Sequence, residues 1–394
     1  MLVNQIMLIL LPIISDKMRK TLFFFLLLTV VSTQAQEISF WHKAKGFFTK
    51  RAVVDTVYIY QPDPGFSLGL FGTLQQAGFD TDVNFRVNYG DNGLYSGATS
   101  YWISEDLCKK VGVEVGFGNI NIGYGFEVGT KSATKKSSFA FNLLRKTWGV
   151  RVNYYKITNP FTSGLTIGID GDEYYQHEEF VSKELASLRS FTVDGYYVFN
   201  NKRFAYPATY KRSLLQRHTA GSWMLIAHYK QGDLYNSPEA SLDSYNLLDC
   251  FSTMQVSAGG GYSANIVLWH KDPVGACDEK LRNLTVNLSA IPELTLFNYL
   301  RITSYNYNEN GIHTGENVSK LLCYPMPNFI GSAAVSLTLG RVYFSTQFTY
   351  NMFYFRSRDA FEASQMNIPA FVEDLNFHGT FQDWTLKGLV VFRF

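Results

Sequence analysis

The feature that most constrains this chain is a two-residue alternation of side-chain character between residues 254 and 268. The apolar or small set occupies the even positions: Met254, Val256, Ala258, Gly260, Tyr262, Ala264, Ile266 and Leu268. The polar or small set occupies the odd positions: Gln255, Ser257, Gly259, Gly261, Ser263 and Asn265. A period of two puts these sets on opposite faces of a β-strand. The run is also far longer than the usual soluble strand of about five or six residues.

The alternation returns in the next segment, and its length points to a membrane. There the apolar set Leu284, Val286, Leu288 and Ala290 alternates with Thr285, Asn287 and Ser289. A strand that crosses a bilayer needs about 9–11 residues, and it alternates lipid-facing apolar side chains with polar side chains facing the lumen. Closing the sheet removes the unpaired strand edges that lipid cannot solvate. A soluble two-sheet sandwich also alternates, but it does not explain this strand length or the lack of a charged outer face.

The sequence therefore predicts an all-β fold, a transmembrane antiparallel up-and-down β-barrel of about 12–14 strands. Composition agrees: 17% of the 394 residues are charged, and the chain holds 25 Tyr, 32 Phe and 6 Trp. So little charge excludes a disordered chain or a charged coiled coil. No stretch after residue 35 supplies the roughly 18 apolar residues of a spanning helix. We expect the aromatic side chains in belts near the lipid–water boundaries.

The N-terminus is typical of an export signal. Met18-Arg-Lys is followed by an apolar run over 21–31 and by small residues up to Ala35. This pattern predicts a secretory signal peptide over 1–35, with Met18 as an alternative start. Residues 36–63 are predicted as a periplasmic lead-in or plug, and 64–394 as the barrel. Removing 1–35 leaves 32 basic and 32 acidic residues, so nothing indicates a nucleic-acid partner.

Turn chemistry divides the barrel region into strands. The predicted strands are 65–74, 80–89, 96–103, 110–118, 119–129, 136–145, 147–157, 188–199, 220–230, 251–268, 282–298, 328–339, 341–355 and 383–394. Twelve strands remain an alternative, because 96–103 is poorly patterned. Tight turns at 118–119, 145–146 and 340–341 fall on the predicted periplasmic side, and the long connections fall outside, as in bacterial barrels. Segment 200–219 is the one long connection on the periplasmic side: either it folds inward or the strand count errs nearby.

The last strand carries its own signal. Residues 384–394 alternate up to Phe392 and the terminal Phe394, a pattern that resembles the assembly signal of Gram-negative outer-membrane barrels. We therefore expect export to the cell outer membrane, with outer-membrane lipids and the barrel-assembly machinery as partners.

Several short motifs resemble one family. The stretch 197–206 (Tyr-Val-Phe-Asn-Asn-Lys-Arg-Phe-Ala-Tyr), followed by Gln216 and by 219–222, resembles a block in the exported barrel-like family known as domain of unknown function 4421. The opening 55–59 and the hairpin 111–126 fit the same family, so the resemblance spans about 55–394. Thr219 stands where serine is expected, and Pro207 interrupts the block. The resemblance implies an outer-membrane location in a Bacteroidetes-like bacterium and implies no activity.

Candidate chemistry is sparse. No histidine stands in an H-x-S pair, which would place a base and a nucleophile on one strand face, and His228 lies about 20 Å along the strand from Ser222. We expect no enzyme and no cofactor. Asp170, Asp172 and Glu173 are candidate Ca²⁺ ligands in an acidic loop, with a solvated external loop as the alternative. The scattered cysteines match no zinc spacing, and isolated thiols are favoured over a disulfide.

The inner wall holds the remaining candidates. Gln255, Ser257, Ser263, Asn265 and His228 are predicted to face the lumen. Such small polar side chains favour an open or wetted interior, unless a plug such as 36–63 enters it. The leading hypothesis is a passive pore for small or hydrophobic solutes or a structural barrel; the alternatives are a lipid-modifying enzyme and an adhesin-like barrel.

Overall fold

The computed structural model describes 53–62, 65–88, 94–104, 107–128, 135–158, 162–169, 172–181, 186–211, 213–236, 250–272, 280–307, 312–358, 361–362 and 372–394. The predicted signal peptide and most of the predicted lead-in lie outside these residues. None of the helices formed by the described residues is long and apolar enough to span a membrane.

Regular structure in the described ranges is almost entirely β. The strands are β1 (Ile59–Tyr60), β2 (Phe66–Asn88), β3 (Leu94–Ser104), β4 (Cys108–Phe117), β5 (Ile120–Glu127), β6 (Lys135–Leu144), β7 (Trp148–Thr158), β8 (Thr162–Ile169), β9 (Asp172–Val181), β10 (Ala186–Val198), β11 (Leu215–Gln216), β12 (Ala220–Asn236), β13 (Cys250–Lys271), β14 (Arg282–Tyr307), β15 (His313–Leu322), β16 (Pro327–Leu339), β17 (Val342–Arg356), β18 (Phe361–Glu362) and β19 (Val372–Arg393). A short 3₁₀ helix, Tyr206–Thr209, precedes β11.

Twelve of these strands close into a barrel. The order around it is β2, β4, β5, β6, β7, β10, β12, β13, β14, β16, β17 and β19, and every neighbouring pair is antiparallel. The last strand pairs with the first from Arg393↔Ser67 to Val372↔Val87, which closes the sheet. The predicted fold class, a transmembrane antiparallel up-and-down β-barrel, is confirmed.

The ring has twelve strands because two of the fourteen predicted strands are one strand and a third lies outside the ring. Residues 65–74 and 80–89 form the single 23-residue strand β2, and the turn expected between them does not exist. The 22-residue strand β19 runs alongside β2 and pairs with it over most of its length, so the turn-forming Gly78 and Asp80 are held extended. The predicted strand 96–103 exists as β3, but β3 pairs with residues 78–88 of β2 and with β8 instead of joining the closed ring.

The two ends of the barrel differ, as the turn chemistry predicts. At the near end, where β2 begins and β19 ends, three connections are tight turns, and Gly118 and Gly340 take positive φ angles of 53° and 55° there. Only glycine adopts that backbone region without a Cβ penalty. At the far end the connections are long, and they contain the additional strands β3, β8, β9, β15 and β18. Short turns on one side and long loops on the other are typical of bacterial outer-membrane barrels.

The side chains of the barrel strands point inward or outward as the two-residue alternation predicts. Outward positions carry exposed apolar side chains, among them Leu70, Val113, Leu225, Leu268 and Leu288. Aromatic side chains gather on the outside of the near end: Phe66, Phe117, Tyr197, Phe199, Trp223, Trp269 and Phe394. Inward positions carry buried polar side chains, such as Thr285 and Asn287 at 0% exposure. The outer wall thus suits acyl chains, while the inner wall offers hydrogen-bonding groups.

Candidate functional site: the plugged lumen

Segment 199–219 enters the lumen at the near end. It joins β10 to β12, and its central residues 204–209 are buried, from 0% exposure at Phe204 to 2% at Tyr206. Of the two alternatives that the sequence left for this segment, the structure shows inward folding. We call 199–219 the plug.

One glutamine organises the plug. Gln216 Oε1 accepts hydrogen bonds from the backbone N–H of Ala205 (2.9 Å) and from Asn265 Nδ2 (3.3 Å). Its Nε2 donates to the carbonyls of Arg203 (2.6 Å), His218 (2.9 Å) and Tyr58 (3.3 Å). The side chain is fully buried. A single amide therefore ties both ends of the plug to each other and to the barrel wall.

The barrel wall also binds the plug directly. Asn265 Nδ2 donates to the Ala205 carbonyl (2.8 Å), and Asn283 Nδ2 donates to the Gln216 carbonyl (2.7 Å). From β17, Tyr343 Oη and Ser345 Oγ both donate to the Thr209 carbonyl, at 2.6 and 2.9 Å.

Aromatic packing completes the attachment. The rings of Tyr206 and Tyr196 meet edge to face, with centroids 4.8 Å apart, and Tyr210 Oη donates to Asn287 Oδ1 at 3.0 Å. A Cβ at Gly149 would collide with the Tyr196 ring, so glycine at this position leaves the room that Tyr196 needs to reach the plug.

The end of the predicted lead-in lies on the plug. Strand β1 pairs with β11, the Asp55 N–H donates to the Lys202 carbonyl at 3.0 Å, and the Asp55 carboxylate lies 3.6 Å from Arg203 Nε. Arg217, the residue after β11, forms an ion pair with Asp272 at 2.5 Å. A hydrogen bond with His270 and the charge of Arg217 lower the pKa of the exposed Asp272 carboxyl. The described residues of 36–63 thus lie against the plug, and residues 36–52 lie outside what the structure describes.

Beyond the plug, the lumen holds a cavity of about 260 Å³. Tyr210 is the plug residue in its lining. The acidic and basic residues in its wall, histidine included, are Lys110, Glu114, Arg151, Asp194, His228, Lys230, Asp383 and Lys387. They come from five strands, so no local stretch of sequence contains the site.

One side of the cavity is a three-residue charge cluster. Asp194 Oδ1 lies 2.5 Å from His228 Nδ1, and Asp194 Oδ2 lies 3.4 Å from Arg151 Nε. The three residues follow the strand register, since Arg151 and His228 are the two cross-strand partners of Asp194. Arg151 Nη1 also approaches Tyr206 Oη at 3.5 Å, which links this cluster to the plug.

Each of the other charged residues has a charged or polar partner on another strand. Lys230 Nζ lies 3.4 Å from Asp383 Oδ2 and 4.0 Å from the centroid of the Phe353 ring. Glu114 accepts hydrogen bonds from Lys387 Nζ (2.9 Å) and Asn121 Nδ2 (2.7 Å). Lys110 Nζ donates to Gln75 Oε1 at 2.5 Å. Such pairing is what buried charges require.

The residues predicted to face the lumen all have buried side chains on the inner face. Exposure is 4% for Gln255, 1% for Ser257, 0% for Ser263 and Asn265, and 5% for His228. Asn265 binds the plug, Ser263 hydrogen-bonds Ser289 at 2.7 Å, and Ser257 donates to Glu293 at 2.6 Å. Among these five predicted residues, His228 lines the cavity.

The other sequence candidates are not brought together. Asp170 and the side chains of Asp172 and Glu173 lie outside what the structure describes, and the described residues contain no group of three potential metal ligands. Ser222 Oγ donates to the Trp223 carbonyl at 2.6 Å and accepts from the Asn200 N–H at 2.8 Å. Three of the four cysteines, Cys108, Cys250 and Cys323, form no disulfide bond among the described residues; Cys277 lies outside the described ranges.

The sequence analysis did not identify the charged residues that share the cavity wall with His228. Asp194, Arg151 and Asp383 are isolated charged residues within apolar strand patterns, and an inward-facing charge in such a strand was the available signal. Their grouping depends on register between strands that are distant in the chain.

These features define a class: a transmembrane β-barrel whose lumen is closed at one end by an inward-folded plug. The chain belongs to the family described as domain of unknown function (DUF4421), whose model matches residues 53–372, and this confirms the resemblance seen in its motifs. No curated protein is significantly similar to it.

Similar solved structures are remote. One is the beta domain of the Bordetella autotransporter BrkA, with 9% identity over 78% of this chain and 98% of that chain, at a TM-score of 0.24. Another is the outer membrane protease OmpT from Escherichia coli, with 8% identity over 83% of this chain and 97% of that chain, at a TM-score of 0.27.

Proposed function

We propose that this protein is an outer-membrane pore for small polar solutes that its plug keeps closed at rest. The observation that supports the proposal is that a separate, polar-bound chain segment obstructs the lumen. A barrel of twelve strands encloses more space than wall side chains fill, and here a separate chain segment occupies the near end, held by amide and hydroxyl groups.

The polar attachment supports a removable plug over a permanent core. Hydrogen bonds between the wall and the plug exchange with hydrogen bonds to water at a net cost of about 1 kcal/mol each, whereas a continuous apolar core would resist wetting. The charged cavity beyond the plug supports polar solutes over hydrophobic ones.

The test is conductance in planar lipid bilayers. Asn265→Ala removes an amide that binds the plug at Ala205 and Gln216, leaving buried groups unsatisfied at a cost of about 1–3 kcal/mol. We expect the wild-type protein to be mostly closed, and the open fraction of the variant to rise by about tenfold or more.

The matched control is Asn298→Ala. Asn298 is equally buried and inward-facing, but its amide donates to the Tyr354 carbonyl instead of the plug. This control is expected to keep the wild-type conductance. If the wild type, Asn265→Ala and Asn298→Ala all showed the same conductance, this result would contradict the pore and favour a structural barrel.

Location and assembly complete the proposal. The near end would face the periplasm and the long connections would face outward, with outer-membrane lipids around the wall and the barrel-assembly machinery recognising the last strand. That the chain is not an enzyme and needs no cofactor stays a prediction.

A further inference from the structure

Four basic side chains gather on the outside of the barrel wall toward the far end. They are Arg301 on β14, Lys320 on β15, and Arg356 and Arg358 at and just after the end of β17. All four are exposed, whereas Ser357, between the last two, is 4% exposed. The period of two therefore directs the four basic side chains outward. We call them the wall cluster.

Strand register brings the wall cluster together. Arg301 and Lys320 are direct cross-strand partners. The Arg358 N–H donates to the Leu322 carbonyl at 2.9 Å, so the chain at the end of β17 runs beside β15. The cluster thus covers three adjacent strands, about 10 Å across them and about 14 Å along them.

The wall cluster places like charges side by side. Among the residues that the structure describes, none of its four members forms an ion pair. On the same outer face, Glu316 lies four residues along β15 from Lys320, which is about 14 Å, and Asp82 is paired with His378 at 3.2 Å. Like charges directly opposite each other destabilise a sheet, as Arg301 and Lys320 are here, so an anion bound from outside would relieve their repulsion.

The height of the wall cluster matches a lipid head group. At the near end of β14, the Arg282 guanidinium lies 5.6 Å from the centroid of the Trp269 ring. Arg301 follows nineteen positions later on the same strand. This separation is about 65 Å along the strand, or about 50 Å along the axis of a barrel whose strands tilt by about 40°. Since a bilayer with its head groups is about 40–45 Å thick, Arg282 and the wall cluster lie at opposite membrane surfaces.

The wall below the cluster suits acyl chains. Leu296 is 62% exposed, and Phe297 and Phe329 are each 40% exposed. The Arg358 guanidinium lies 5.8 Å from the centroid of the Tyr324 ring, so cation and aromatic surface meet at the boundary. Positive charge above an apolar wall complements a molecule with an anionic head and apolar chains.

We propose that the wall cluster binds the phosphorylated head group of an outer-leaflet glycolipid of the lipid A type. Guanidinium groups bind phosphate oxygens bidentately, and an ammonium group adds a point charge. The cluster is wider than one phosphate, so it fits a disaccharide with a phosphate at each end better than a glycerophospholipid with one. The inference shares with the proposed function the outer-membrane location and the outward-facing far end, and it requires no open pore.

The test is native mass spectrometry of the purified full chain in detergent micelles, which counts the lipids bound to each protein. The probes are bisphosphorylated lipid A, the same lipid with both phosphates removed, and phosphatidylglycerol. We expect one bisphosphorylated lipid A per chain, with the other two probes binding at least tenfold more weakly.

Three outcomes would overturn the proposal. Equal binding of all three probes would show that the wall takes lipids by their acyl chains alone. Preference for phosphatidylglycerol would assign the cluster to a glycerophospholipid. Displacement of lipid A by an equal concentration of inorganic phosphate would show a site for a free anion.

Strand β14 provides a matched pair of arginines at its two ends. Arg301→Gln should weaken binding of bisphosphorylated lipid A at least tenfold, because a hydrogen bond to a charged group contributes about 1.5–3 kcal/mol. Arg282→Gln, at the other exposed arginine, should leave binding unchanged. Lys320→Arg should keep the affinity that Lys320→Gln lowers. Equal losses in the two arginine variants would contradict the site.

Folding and pore function are read separately from lipid binding. Each variant should keep the heat-dependent shift in gel mobility, because the substituted side chains are exposed. Absence of lipid A binding together with raised Asn265→Ala conductance rejects the site alone. Lipid A binding together with unchanged Asn265→Ala conductance rejects the pore alone.

Discussion

At the scale of single residues, facing decides what each polar side chain does. The alternation of β13 puts Asn265 inside and Ile266 outside, at 0% and 37% exposure. Asn265 then contacts the plug, which the sequence does not reveal. The same holds for Gln216, which belongs to a family-like motif in the sequence and acts in the structure as the hydrogen-bonding centre of the plug.

Gln216→Leu should release the plug. Leucine preserves the approximate volume but abolishes all five hydrogen bonds, and each buried group left without a partner costs about 1–3 kcal/mol. Limited trypsin digestion reads this out at Lys211, which is 6% exposed in the folded protein. We expect cleavage after Lys211 in the variant but not in the wild type.

The exposed Lys202 serves as the internal control, since trypsin should cut there in both proteins. Continued protection of Lys211 in the variant would show that Gln216 does not hold the plug.

At the scale of strands, strand length shows that the barrel wall extends well beyond the hydrocarbon core of a membrane. The longest strand, β14, has 26 residues, which at about 3.4 Å per residue is nearly three times the roughly 30 Å hydrocarbon core. The far-end strands β3, β8, β9 and β15 extend this wall beyond the twelve-stranded ring. The ring does not include them, because β2 pairs directly with β4, β7 with β10, and β14 with β16.

Replacing 160–185 by a short glycine-serine turn should therefore leave a folded barrel. The deletion removes β8 and β9 but none of the ring pairings, so the heat-dependent gel shift should persist. Deleting the ring hairpin 110–127 is the contrasting control and should abolish it. Loss of the shift in the first variant would mean that the far-end sheet is needed for closure.

At the scale of the whole molecule, closure depends on the chain ends. The Phe394 N–H donates to the Phe66 carbonyl at 3.0 Å, and the two rings lie 6.1 Å apart. Phe394 is nevertheless 73% exposed, so its ring contributes little packing. An exposed terminal aromatic at a closed seam is better placed to be recognised by another protein than to stabilise this one, in line with the predicted assembly signal.

Phe394→Ala should separate assembly from stability. Because the ring is mostly exposed, the melting temperature of the protein refolded in detergent should fall by no more than a few degrees. The amount of folded protein recovered from cell outer membranes should fall severalfold. A large loss of stability with normal recovery would contradict an assembly role.

The sequence alone determined the architecture, because a barrel in lipid imposes a period of two on each strand and glycine turns on one end. Those signals are local, so the facing of β13 and the sorting of short and long connections could be read directly from residues such as Asn265 and Gly340. The predicted division of 65–89 into two strands was wrong because pairing with β19 overrides the turn preference of Gly78 and Asp80.

Only the tertiary structure decided how the lumen is used. The cluster of Arg151, Asp194 and His228 and the contact of Gln216 with Asn265 join residues 34 or more positions apart in the chain. The alternation leaves the register between the strands that carry them undefined. A one-residue shift in register would keep every hydrophobic pattern along each strand and would still separate these partners. The period of two therefore specifies which side chains face inward, while closure of the ring specifies which of them meet.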